Sequence, residues 1–117
     1  SLGIYLLRRD AETGEMLLRR AFEEGDSQAG ALLAIALKRR GRWLEALEFW
    51  KRTDALEPRA LVCEELAKYH EHRLRNYAEA LAWAEKGLAL LVKEGAGESR
   101  RAAFSHRISR LRRKSGA

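Results

Sequence analysis

One short pattern occurs twice in this chain. Arg42-Trp43-Leu44-Glu45-Ala46-Leu47 returns as Asn76-Tyr77-Ala78-Glu79-Ala80-Leu81, with aromatic, alanine and leucine each displaced by 34 residues. A fixed interval of this size marks a repeat architecture, in which each unit of two or three elements buries its apolar face against its neighbours. Both copies follow a polar turn and open an amphipathic helix. In the first, Trp43, Ala46, Leu47 and Trp50 stand at i, i+3, i+4 and i+7, the spacing of one helix face rather than of a strand.

The rest of the chain agrees with helices. There is one proline, and β-branched residues, which favour strands, are few. At 117 residues the chain is one domain or part of one. A single cysteine, Cys63, excludes an intrachain disulfide and a Cys-based zinc cluster, and suits a reducing, cytoplasmic setting. No run of 18 apolar residues exists to span a membrane. The chain opens on Ser1 and its only methionine is Met16. It therefore reads as a piece of a longer protein, with any catalytic activity in a missing N-terminal part.

Charge is unevenly placed. The net charge is +6. From residue 95 onward seven basic residues face one acid, Glu98, whereas residues 1–94 hold 16 of each sign. The basic character belongs to the C-terminal segment.

In chain order, residues 2–9 predict a short helix, and Asp10 a cap for a second that ends at Gly25, with Leu17, Leu18, Ala21 and Phe22 on its inner face. These form a degenerate helix pair over 1–25. Asp26 caps a third helix carrying Ala29, Leu32, Leu33, Ala36 and Leu37 inward. The fourth begins at Trp43. Pro58 opens a fifth, to about residue 74, with Cys63, Leu66, Ala67, His70 and Leu74 inward. Tyr77, Ala80, Leu81, Ala84, Leu88 and Leu91 line the sixth. After Gly95-Ala96-Gly97, a seventh helix over 97–114 places Phe104, Ile108 and Leu111 on one face and arginines elsewhere.

These residues resemble the tetratricopeptide repeat, whose pattern pairs two helices in 34 residues. Leu33-Ala34, Trp43, Ala46, Trp50 and Pro58 match in the unit 26–58. Leu66-Ala67, Tyr77, Ala80 and Leu81 match in the unit 59–94. The second unit departs in having Ala84 where an aromatic stands, no closing proline, and a first helix one residue longer. The resemblance implies an all-α, antiparallel helix-turn-helix α-solenoid of about three helix pairs, closed by a basic capping helix. More narrowly, Glu65 to Arg73, Asn76 to Leu81 and His106 to Lys114 look like the C-terminal repeat region of bacterial proteins that carry an N-terminal RNase-H-like exonuclease domain. That implies a catalytic acidic cluster outside this chain.

Local chemistry is sparse. His70-Glu71-His72 places two histidines at i and i+2, on different helix faces, so they chelate one ion poorly. Cys63 stands mid-helix on the apolar side, without a helix N-terminus to activate its thiol. Glu64 and Glu65 diverge. No phosphate-binding glycine loop and no hydrolase motif occurs. Trp43 and Trp50 fall on inward lines; Trp83 is beside them and is the best placed for partial exposure. No metal, cofactor or catalytic residue is expected.

Two functions remain. The first is a non-catalytic protein-interaction or scaffold module, whose groove would be lined by Gln28, Ala31, Ile35, Lys38 and Arg39 from one unit and Glu64, Lys68, Glu71 and His72 from the next. Its partner would be a protein, a peptide or the rest of its own chain. The second is an accessory nucleic-acid-binding domain of a nuclease, with Arg107, Arg110, Arg112 and Arg113 on phosphates.

Overall fold

The computed structural model describes the backbone of residues 2–116 and the side chains of residues 9–116. Among these, helices account for all regular structure: α1 (Leu2–Glu23), α2 (Ser27–Arg39), α3 (Trp43–Leu56), α4 (Ala60–Lys68), which runs into a π-helical segment (Tyr69–Arg73), α5 (Tyr77–Glu94) and α6 (Glu98–Ser115). The chain divides into two compact units, Ser1–Glu57 and Pro58–Ala117.

The first unit holds α1, α2 and α3. The break expected at Asp10 is absent. α1 runs unbroken, so residues 1–25 supply one helix instead of a pair. Neither glycine nor proline stands just before Asp10 to stop the backbone ladder, and a capping residue without a stop signal before it merely joins the helix. The cap at Asp26 is present, its carboxylate accepting from the Ala29 amide at 3.1 Å. Leu33, Ala34, Leu37, Ala46 and Trp50 are buried here. Phe22 and Phe49 meet edge to face at 5.7 Å, with the Arg52 guanidinium 5.0 Å from each ring. Leu17 and Leu32, expected inward, are exposed. Each lies one residue, about 100° of helix rotation, from the inward line through the half-buried Leu18 or the buried Leu33.

The second unit holds α4, the π segment, α5 and α6. Pro58 does not enter the first turn of α4. It precedes Arg59, whose extended backbone forms the N-cap. Proline biases the residue before it away from helix, which separates α3 from α4 cleanly. A core of Ala60, Ala67, Ala80, Ala84 and Leu91 receives Phe104, Ile108 and Leu111 from α6. Burying three such side chains contributes on the order of 5 kcal/mol, enough to hold α6 against the pair beneath it. Gly87 permits the approach: a Cβ there would stand 2.3 Å from Phe104 Cε1 and 3.1 Å from Cys63 Cβ.

The extra residue of the second unit has a definite location. At the end of α2 the Arg42 amide bonds to the Leu37 carbonyl; at the end of the π segment the equivalent Asn76 amide bonds to the His70 carbonyl, one residue further back. The wider π turn absorbs the insertion without breaking the helix. Gly41 leaves α2 with φ 77°, and Arg75 adopts the same left-handed backbone with φ 51°. Arg75 is 34 residues after Gly41, so a side-chain-bearing residue holds a conformation that glycine takes at lower cost. Leu74 lies past the insertion, in the place of Arg40, and is exposed as Arg40 is.

Candidate functional site

The side chains of α6 form three strips. Phe104, Ile108 and Leu111 point into the core. One flank, Ser105, Ile108, Ser109 and Arg112, borders a cleft against Glu85, Leu88, Ala89 and Val92 of α5. The other flank, Arg107, Arg110 and Lys114, converges on the π segment.

That convergence is centred on Glu71, whose side chain is 0% exposed. Arg107 Nη1 donates to it at 3.0 Å; Arg110 donates twice, from Nε and Nη2, at 2.9 Å each; Lys114 Nζ donates at 3.0 Å. His72 Nε2 stands 3.5 Å away. A paired donation from one guanidinium fixes both direction and distance. The Arg110 hydrogen bonds hold the Glu71 carboxyl at about 2, overcoming burial, which pushes it up. Glu71 in turn raises the Arg110 guanidinium above its ordinary value. Lys114 also lies 5.3 Å from the Tyr77 ring.

The first unit has a comparable but more exposed network. Glu15 accepts from Arg40 at 2.7 Å, from Arg42 at 2.9 Å and from Arg19 at 3.2 Å. Arg42 also donates to Glu45 from Nη2 at 2.8 Å. The Glu45 carboxyl is lowered chiefly by that bond, and Arg42 is raised by it. The carboxylate on α1 thus ties down the α2–α3 turn.

The residues expected to form a groove are distributed as follows. Gln28 and Arg39 are exposed, Ile35 and Lys38 half-buried, and Ala31 is buried in the first unit. In the second unit Lys68 bonds to Glu64 at 3.1 Å, Glu71 is enclosed by cations, and His72 is 61% exposed. Of the four arginines expected on phosphate, Arg107 and Arg110 share the Glu71 flank. Arg112 belongs to the cleft flank and reaches Glu85 at 3.4 Å. Arg113 is exposed, with no carboxylate partner among the described residues. Lys114 joins the Glu71 group although the arginine pattern did not single it out. The spacing 107, 110, 114 carried that signal, since i, i+3 and i+7 share a helix face.

Cys63 is fully buried and His70 nearly so, its ring edge-on to Tyr69 at 5.6 Å. Trp50 is buried; Trp43 and Trp83 are both half-buried. No group of three or more metal-ligating side chains occurs among the described residues. No helix among them is long and apolar enough to cross a membrane.

The α5–α6 cleft has a volume of about 510 Å³. It continues past Leu88 and Val92 to a second depression bordered by Glu98, Arg101, Ala102, Ser105 and His106. Val92 is 57% exposed in its floor. Periodicity could not separate this face of α5 from a core face, because Leu88 and Val92 continue the inward leucine line.

No family model matches the chain, and no solved structure matches it. Among curated proteins it is similar to "Uncharacterized protein YprB" of Bacillus subtilis (strain 168), at 33% identity over 103 residues. That similarity covers 86% of this chain and 24% of the relative. The chain spans about a quarter of the length of that curated relative.

Proposed function

We propose that this chain is a non-catalytic, tetratricopeptide-like interaction module carried by a larger bacterial, cytoplasmic protein, and that it holds a protein surface against the α5–α6 cleft. The cleft carries this reading. It joins an apolar floor of Leu88, Ala89 and Val92 to a rim of Ser105, Ser109, Arg112 and Glu85. An apolar groove with a polar rim is the surface on which an amphipathic helix docks. The chemistry-bearing side chains serve the fold: Cys63 packs the core and Glu71 anchors α6. The 34-residue recurrence and the paired helices around it support the repeat assignment. The match to one quarter of a longer bacterial chain supports placement within a larger protein. In this reading the partner is another protein or another domain of the same polypeptide, and an RNase-H-like nuclease activity belongs to that other domain.

The test is Val92→Glu. Val92 is mostly exposed, so a charge there leaves the helix folded while spoiling the cleft floor. Quantitative affinity purification from the native host compares partners retained by the two forms. A partner lost with Val92→Glu, at unchanged circular dichroism, supports the cleft. Equal recovery of every partner overturns it.

A further inference from the structure

We propose that the Glu71-centred cationic cluster is a seat for the phosphodiester backbone of a nucleic acid, formed by Arg110, Lys114 and His72 beside Tyr77. This does not rest on the cleft, which lies on the other flank of α6.

The cluster holds three cations around one carboxylate, so two positive charges remain uncompensated. Charge gathered in excess of its counterion is an anion-attracting surface. The geometry favours phosphate over a diffuse counterion cloud. A guanidinium has five N–H donors. Arg110 gives two to Glu71, and Arg107 one. Lys114 gives one N–H of its three. Glu71 sits behind this layer, at 0% exposure, while Arg110 and Lys114 are each 39% exposed and His72 61%. The buried carboxylate fixes the cations from beneath, and their outer donors meet solvent already ordered. An arginine so held loses less side-chain freedom when it takes an anion than a mobile surface arginine does.

Two further features bear on the ligand. The half-buried Tyr77 ring packs against the core and carries the Lys114 ammonium 5.3 Å from its centre, which holds that cation in place beside Arg110. Fixed cations that contact phosphate alone bind a nucleic acid without regard to sequence. The cluster is also built on a π-helical segment, and such bulges recur at functional sites. The arginine stripe legible in the sequence is thereby redrawn. Arg112 and Arg113 leave the seat; Lys114 and His72 enter it.

The experiment uses the 117-residue chain and a fluorescently labelled mixed-sequence single-stranded 20-mer, read by anisotropy. Binding is expected at 50 mM KCl, with affinity falling about 20-fold by 200 mM for roughly three phosphate contacts. Lys114→Ala with His72→Ala should weaken binding about 5- to 10-fold. Arg112→Ala with Arg113→Ala removes two positive charges from elsewhere on α6 and should weaken it less than 2-fold. His72→Glu, at the most exposed position, is the second variant should Lys114→Ala lower the melting temperature; it should weaken binding as strongly. Absent binding at 50 mM, or equal losses from both double variants, overturns the proposal. Displacement of the oligonucleotide by 10 mM inorganic phosphate, but not by the same concentration of sulfate, assigns the seat to free phosphate and overturns the nucleic-acid assignment. A Val92→Glu chain that still binds the oligonucleotide separates this seat from the cleft.

Discussion

Replacing Glu71 by glutamine removes the charge on which the second unit's tertiary electrostatics converge. Its carboxyl is held at about 2 against 4.5 for an unconstrained glutamate. At about 1.4 kcal/mol per tenfold, the folded state favours the carboxylate by roughly 3 kcal/mol. Breaking a buried ion pair by removing one partner costs about 3–5 kcal/mol by mutation, which agrees. The expected loss at pH 7 is therefore about 3 kcal/mol, concentrated where α6 meets the π segment. The pH dependence follows from the sign. A carboxyl lowered on folding stabilises above its unfolded value and loses that contribution as pH falls toward its folded value. The gap between the native chain and Glu71→Gln should shrink from about 3 kcal/mol at pH 7 to about 1 kcal/mol at pH 3. Urea titrations followed by the amide resonances of α6 measure this at both pH values. A gap unchanged between pH 7 and pH 3, or a loss under about 1 kcal/mol at pH 7, would refute the electrostatic account.

Three further outcomes are expected. Gly87→Ala forces a methyl to within 2.3 Å of Phe104, so thermal melting should show about 1–3 kcal/mol of lost stability; an unchanged midpoint would contradict the close approach. Arg42→Ala should cost about 1 kcal/mol or less, because Arg42 and Glu45 are each more than a third exposed and Glu15 keeps Arg40 and Arg19; a loss as large as that of Glu71→Gln would place the anchor of the first unit here. Deleting His72 restores the spacing of the first unit and should leave far-UV ellipticity unchanged; a collapse of helical signal would mean that the π segment is not an absorbed insertion.

Much of the core was legible because helix periodicity reports it directly. Phe104, Ile108 and Leu111 were placed inward from spacing alone, and all three are buried. Asp26 was legible as a cap because a side-chain oxygen ahead of an apolar-periodic run satisfies a local amide. Asp10 misled for the same reason. A capping side chain is permissive, and only a preceding stop makes it a boundary. Leu17, Leu32 and Leu74 show another limit, since an apolar residue one step off a face is indistinguishable in composition from one on it.

The sequence by itself determined the all-helical class, the turns that open α2, α3 and α5, the 34-residue recurrence and the presence of one residue too many in the second unit. These are local properties, set by spacing and by the backbone preferences of a few residues. Only the tertiary structure decided what Glu71 is. In the sequence it was one exposed-looking acid among histidines on a groove-facing turn; in the fold it is buried under Arg107, Arg110 and Lys114, residues 36 to 43 positions away. Ion pairing depends on distance in space, and neither hydrophobic period nor net charge records which cation a carboxylate will meet.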